Sequence, residues 1–355
     1  MAINISSPNP IKASDISKEF GPTTNISLGN YRAVNQNVGS LSNLPLDTGI
    51  PQSGEIKFSH FYGKRLNIVV NLYDSIADNS TRLIVRDYYN SNYVTVIGGF
   101  KSTTAIPLNG SGSRIIANVN KIIGSEKTVI NYCALRTGTW ATDANLEIVI
   151  GSSGGIYGAG GNGGAGGYSN GQNAGQGTSA LGIQHPTRIT NQGTIFGGIG
   201  GGGGGSGGSG DTFRDVQGGQ CRNVQSQSIV IAGGGGAGGR GLPGGNGGGL
   251  PNTQKSSFAT DSVTLPTAGT AGNTFQNGPG GSGGSATYWK ECSQTASSGG
   301  GGAGGSTGGA GNYGTPGQGG QRGYSILVGS GGSLLSISGN NPDPNPTNPV
   351  SGEPA

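Results

Sequence analysis

The residues most able to do chemistry, histidine and cysteine, are few and far apart in this sequence. His60 and His185 are the two histidines, and Cys133, Cys221 and Cys292 are the cysteines. Their spacing matches neither a zinc site nor a disulfide scaffold, and no nucleophile–histidine–acid motif surrounds either histidine. We therefore expect no catalytic residues, no metal site and no cofactor.

Glycine is the residue that the chain distributes most unevenly. The chain has 355 residues and 78 glycines, of which 64 lie in residues 151–332. Hydrophobic residues make up 31% of the sequence and charged residues 10%, with a net charge of +4. The basic residues are scattered singly, which argues against nucleic acid as a partner. We see no secretory signal and no apolar run long enough to span a membrane.

Residues 1–64 are predicted to form a small module. Residues 9–21 predict a short helix with Ser14 as its N-cap and Gly21 as its end. The hexapeptides 11–16 and 56–61 share Ile-Lys-x-Ser, followed by Asp or His and an apolar residue. They are either paired halves of one module or a chance match.

Residues 65–150 alternate short apolar runs with turn-forming residues. The runs are rich in β-branched and aromatic residues, and the breaks include Asp78-Asn79 and residues 109–113. Six or seven short strands of this kind predict an antiparallel β-sandwich. Cys133 falls inside one of the runs and is predicted to be a buried thiol.

Residues 151–332 are about one third glycine, a composition typical of disordered linkers. Strand-like pieces flank the block, however, and an Ile-Val-Ile run at 229–231 leads directly into glycines. The ordered alternative is a sandwich of polyglycine-II helices, which have three residues per turn and must hydrogen-bond to their neighbours. We favour this sandwich, with Asn162, Ala165 and Ser206 on its outer faces. Residues 333–355 are predicted to form an extended tail rich in proline and asparagine.

Longer, more varied insertions interrupt the glycine block at 211–228, 250–277 and 286–298. Because a glycine lattice is chemically inert, we expect recognition to reside in these loops. The predicted receptor-binding residues, chosen for aromatic or charged side chains, are Phe213, Arg214, Phe258, Tyr288, Trp289 and Lys290. The alternative for Trp289 is a local core that caps the lattice. Cys221 and Cys292 lie in different insertions and form either a disulfide or two separate thiols.

Two segments resemble proteins of tailed phages. The sequence SGEIKFSHFYGKR at 53–65 resembles a motif near the start of structural and tail-fibre proteins, including those of cyanophages. The sequence ITNQGTIFGGIGGGGGG at 189–205 resembles the start of the glycine-rich domain of phage tail-fibre adhesins. This resemblance implies a polyglycine-II sandwich whose distal loops contact a bacterial receptor.

The resemblance and the residues together give the following expectation. The fold is mainly β, with a virion-docking module at 1–64, a β-sandwich at 65–150, a polyglycine-II domain at 151–332 and a tail at 333–355. The resemblance implies a non-enzymatic tail fibre or adhesin on the virion. Its partners would be a bacterial glycan or outer-membrane protein, other tail or baseplate proteins, and two further copies in a homotrimer. The alternatives are a purely structural virion component and a bacterial surface protein, which the missing secretory signal disfavours.

Overall fold

The computed structural model describes residues 10–20, 27–31, 49–51, 53–64, 68–72, 83–84, 114–125, 132–140, 142, 144–213, 216–217, 220–221, 226–250, 262–273, 276–283, 285–287, 295–297, 299–300, 302, 306–310 and 314–343. One α-helix, α1 (Ala13–Phe20), and two short 3-10 helices, Leu28–Tyr31 and Phe58–Phe61, belong to the N-terminal part. The strands are β1 (Ile68–Leu72), β2 (Leu83–Ile84), β3 (Arg114–Val119), β4 (Ile122–Ile123), β5 (Cys133–Arg136), β6 (Asn145–Ile150), β7 (Gly155–Tyr157), β8 (Ser179–Ile183), β9 (Pro186–Asn191), β10 (Thr194–Phe196), β11 (Gly208–Phe213), β12 (Val216–Gln217), β13 (Gln220–Cys221), β14 (Ser226–Ile231), β15 (Ser262–Thr264), β16 (Ser285–Thr287), β17 (Thr295–Ser297), β18 (Ile326–Val328) and β19 (Ser333–Gly339).

Three parallel sheets surround the main core, and the chain visits them in rotation. Their strand orders are β1-β3-β6-β9-β19, β10-β7-β4 and β18-β8-β5-β2. The chain passes from β3 through β4 to β5, then repeats this circuit as β6, β7 and β8 and again as β9, β10 and β18. Each strand therefore pairs with the strand one circuit away, which is the topology of a three-sided parallel β-helix.

The predicted antiparallel β-sandwich over residues 65–150 is wrong. Every described strand pair in that range is parallel. Within the described residues, the chain changes sheet at the corners of the β-helix without reversing direction. The run at 114–123, predicted as one strand, shows this, because β3 ends at Val119 and β4 begins at Ile122.

The core of the β-helix is a stack of apolar side chains in register from circuit to circuit. On the first sheet Ala117, Ile148 and Ile189 are paired neighbours, and all three are buried. Leu135 and Leu181 form the equivalent stack on the third sheet. At about 25 cal/mol per Å² of apolar surface removed from water, this continuous stack is the main stabilisation of the β-helix. Cys133, predicted to be a buried thiol, lies fully buried in β5.

The glycine-rich block consists of two insertions, 158–178 and 197–325, that leave the β-helix between its second and third sheets. Straight segments of these insertions, called rods below, are joined by backbone hydrogen bonds that recur every third residue. The amides of Gly161, Gly164 and Gly167 donate to the carbonyls of Ile199, Gly202 and Gly205, at 2.9, 2.8 and 3.2 Å. A repeat of three is that of the polyproline-II helix, although the polyglycine-II conformation itself stays a prediction.

Close approach of backbones explains the glycine content of the rods. A Cβ atom on Gly201, in the rod 197–207, would collide with the carbonyl oxygen of Asn162. In the outer rod 314–325 the buried glycines recur every third residue, at Gly317, Gly320 and Gly323. A rod therefore needs more glycines per turn when more of its sides are covered by other rods.

The three side chains that were predicted to lie on the outer faces of the lattice differ in burial. Asn162 is exposed and Ala165 is half-buried, whereas Ser206 is fully buried within the lattice. The prediction for Ser206 is wrong because it belongs to the rod 197–207, which has neighbouring rods on several sides.

The N-terminal module has its own small core, in which the two hexapeptides contribute equivalent residues. Ile16 and Phe61 are buried together, and Ile11 and Ile56 pack against them. The local hydrogen bonds also match: the Lys12 amide donates to Asp15 Oδ2 at 3.0 Å, and the Lys57 amide to His60 Nδ1 at 3.1 Å. The predicted helix is present, but it begins at Ala13, so Ser14 lies inside it.

Candidate functional site

The rods alternate in direction, and this alternation determines where the insertions lie. The rod 158–167 runs parallel to 197–207, since donor and acceptor numbers rise together. The rod 232–241 runs antiparallel to 197–207: the amides of Ile199 and Gly205 donate to Arg240 and Gly234. The chain between these two rods, 208–231, therefore begins and ends at the end of the lattice far from the β-helix.

The same reasoning places the other long insertions at this distal end. The rod 243–250 leads away from the β-helix, parallel to 158–167, and 265–273 returns. The rod 276–283 leads away again, antiparallel to 265–273. The connections after residues 250 and 283 consequently emerge beside 208–231.

Strands within the insertions form small antiparallel sheets at the distal end. β11 pairs with β14, and β16 pairs with both β15 and β17. Both strands of the first sheet contact β17 of the second. The three insertions are thus assembled into one tip, built on rods that are fixed by their hydrogen bonds.

The predicted receptor-binding residues are only partly within the described chain. Phe213 is the last residue of β11 and pairs with Ser226 of β14. The remaining five lie outside the described residues: Arg214, Phe258, Tyr288, Trp289 and Lys290. The alternatives for the two cysteines, a disulfide or separate thiols, stay open, because Cys221 lies in β13 opposite Val216 and Cys292 lies outside the described residues.

The junction between lattice and β-helix is a site that the sequence analysis missed. Phe196 ends β10 and is buried, and the guanidinium carbons of Arg240 and Arg322 lie 4.0 and 5.0 Å from its ring centroid. Arg322 also forms an ion pair with Asp343 at 2.8 Å. Asp343 belonged to a predicted tail and the two arginines to separate glycine runs, so no local pattern connected them.

Both histidines have structural hydrogen bonds. His185 is buried, with Nε2 2.9 Å from the carbonyl oxygen of Ala144, and His60 Nδ1 accepts the Lys57 amide described above. Within the described residues no group of three or more His, Cys, Asp or Glu side chains is placed to hold a metal ion. No helix in that part of the chain is long and apolar enough to cross a membrane.

Comparison with known proteins identifies the family. The family model described as "Phage tail fibre adhesin Gp38" matches residues 84–344. The chain belongs to this family. The matched range includes most of the β-helix and all of the lattice and its tip insertions. The adhesin is accordingly a virion protein of an external tail appendage, as the resemblance of its glycine-rich segment indicated.

One solved structure with a similar chain is the "Crystal structure of the gp37-gp38 adhesin tip complex of the bacteriophage S16 long tail fiber". The two sequences are 20% identical, and the match covers 82% of this chain and 89% of that one, with a TM-score of 0.38. No curated protein sequence gives a significant match.

Proposed function

We propose that this adhesin binds a bacterial surface receptor, a glycan or an outer-membrane protein, through the insertions at the distal tip. The observation that carries the proposal is the alternation of the rods, which brings the insertions after 207, 250 and 283 to one end. Loops presented by a rigid scaffold are where recognition is usually found. Binding of this kind requires no catalytic step.

Within the tip, we assign the main contacts to Tyr288, Trp289 and Lys290, with Phe213, Arg214 and Phe258 around them. Aromatic rings suit the apolar faces of sugars and apolar protein surfaces, and arginine and lysine suit anionic groups. Tyr288 directly follows β16, whose pairing with β15 and β17 supports its position in the tip.

At the other end of the chain, we propose that the N-terminal module docks the adhesin onto another tail protein. Its compact core contains Tyr31 and Phe61, whose rings meet edge to face at a centroid distance of 5.9 Å. The neighbouring Phe58 remains 41% exposed, and an exposed aromatic ring is a common anchor in protein interfaces.

Competition for adsorption tests the tip assignment. Purified adhesin, added to host cells before phage, should block adsorption in a concentration-dependent way. The double variant Tyr288→Ala/Trp289→Ala should lose this blocking while keeping its circular dichroism spectrum and melting temperature. Phe58→Ala is the matched control, because it removes an exposed aromatic outside the tip and should still block.

The amount of adhesin in phage particles distinguishes the docking function proposed for the N-terminal module from the receptor binding proposed for the tip. Phage carrying Phe58→Ala should contain less adhesin per particle, whereas phage carrying the tip variant should contain the normal amount and adsorb poorly. If the folded wild-type protein neither binds cells nor blocks adsorption, the purely structural alternative is the better explanation.

The predicted homotrimer is checked by light scattering on the same preparations.

A further inference from the structure

The outer face of the first β-helix sheet carries a groove of about 780 Å³, which the proposed function does not use. It lies where β3, β6, β9 and β19 run side by side. In the middle row, Glu147 is paired with Arg188, and Arg188 with Ser336 of the edge strand. Successive strands are about 4.8 Å apart, so these three side chains form one short row across the sheet.

The groove has more positive than negative charge. Glu147 Oε1 accepts a hydrogen bond from Thr190 Oγ1 at 2.9 Å. Arg188 is exposed and makes no hydrogen bond or ion pair with any residue that the structure describes. Arg114 lines the same groove at its β3 side. One guanidinium is therefore available to an anionic ligand, and a second stands nearby.

A β-bulge adds an apolar surface beside Arg188. The register between β19 and β9 shifts between Leu334 and Ser336, so that Leu335 is an additional residue without a partner in the pairing. Leu335 is 53% exposed and lines the groove. Bulges often redirect side chains next to functional sites, and here the bulge places an apolar side chain in the groove that Arg188 lines.

We propose that this groove binds an acidic saccharide, with its carboxylate or phosphate on Arg188 and the apolar face of a sugar ring on Leu335. Guanidinium groups bind both anions through paired hydrogen bonds. None of the described residues that line the groove is aromatic, and five of them carry hydroxyl or amide groups, which favours a ligand rich in hydroxyl groups: Thr142, Asn145, Thr190, Ser336 and Ser338. A protein partner would more commonly meet aromatic anchors.

Calorimetric titration of the full chain tests the groove with four probes. Short oligogalacturonate supplies carboxylates, its methyl ester is the neutral control, glucose 6-phosphate supplies a phosphate, and a glutamate-rich peptide supplies carboxylates without sugar. We expect oligogalacturonate or glucose 6-phosphate to bind at low salt and the methyl ester not to bind. Which of the two binds distinguishes a carboxylate from a phosphate ligand.

Variants connect binding to the groove. Arg188→Gln should weaken the binding by about tenfold or more, as expected for loss of a charge-assisted pair. Leu335→Ser should weaken it by a smaller factor, whereas Lys121→Gln, a charge removed elsewhere on the β-helix, should have no effect. The proposal is overturned if neither acidic sugar binds at millimolar concentration, if Arg188→Gln binds normally, or if only the peptide binds. Because the tip is unchanged in these variants, the outcome is independent of the adsorption experiment.

Discussion

Arg322 and Asp343 connect the outer rod of the lattice to the last circuit of the β-helix. The Arg322 Nη2 atom donates to Asp343 Oδ1 at 2.8 Å, with the two side chains 35% and 58% exposed. The backbone of Asp343 completes the connection: its amide donates to Ile195 and its carbonyl accepts from Gly197. The lattice is therefore attached to the β-helix at this junction by backbone hydrogen bonds as well as by the ion pair.

Replacing Arg322 should weaken this junction by a modest amount. Exposed ion pairs contribute about 0–1 kcal/mol and a cation over an aromatic ring about 0.5–1 kcal/mol. We expect Arg322→Ala to lower the free energy of unfolding by about 1–2 kcal/mol and Arg322→Lys by less, measured by denaturant titration. Lys57→Ala, which breaks the exposed Lys57–Glu55 pair at 3.1 Å, should change it by less than about 0.5 kcal/mol. Equal effects of the two alanine variants would contradict a role for the junction.

Adding a single methyl group to the inner rod should be costly. In Gly201→Ala the new Cβ meets the carbonyl oxygen of Asn162, and both rods must separate to admit it. We expect a loss of about 3 kcal/mol, at the upper end of overpacking effects. In Gly249→Ala the new Cβ meets nothing within 4 Å, and the melting temperature should hardly change. A tolerated Gly201→Ala would mean that the rods are not packed as described.

Asparagine side chains satisfy backbone amides along the outer rods. Asn173 Oδ1 accepts the amide of Gln318 at 2.8 Å, and Asn162 Oδ1 accepts that of Asn246 at 2.9 Å. Asn173→Ala should cost about 0.5–1.5 kcal/mol, because the hydrogen bond is lost while water replaces part of it. Asn173→Asp retains the acceptor and should cost less at neutral pH. Gln176→Ala, at another exposed position three residues further along the chain, is the control, and chemical denaturation compares the three variants.

Because Tyr31 is buried, we expect the N-terminal module to lose stability at alkaline pH. Burial raises the pKa of Tyr31 above its usual value near 10, because the charged phenolate is poorly solvated there. The unfolded chain releases this proton near pH 10, so stability present below pH 10 declines as the pH rises toward the folded-state pKa. Tyr31→Phe should reduce this decline, measured as the difference between unfolding midpoints at pH 8 and pH 10.5. An unchanged difference would argue against burial of the phenol.

In the β-helix, the sequence predicts the positions of several strands but not their pairing. The β-branched and aromatic residues of the apolar runs correctly predict strands at β1, β3, β5 and β6, and in β6 Leu146, Ile148 and Ile150 form the buried face. Their pairing was predicted wrongly. Neighbouring strands of the β-helix are separated by a whole circuit, as Ala117 and Ile148 are, and the residues that turn a corner are the same types that close a hairpin.

The sequence indicated that glycine runs such as 197–207, which have almost no side chains to bury, could become ordered only by packing backbone against backbone. It also distinguished the insertions from the glycine runs by their more varied composition. The tertiary structure was needed to show that these insertions share one end and that Arg240 and Arg322 meet at Phe196. Both outcomes depend on the direction of each rod, and hydrogen bonds between residues far apart in the chain fix that direction.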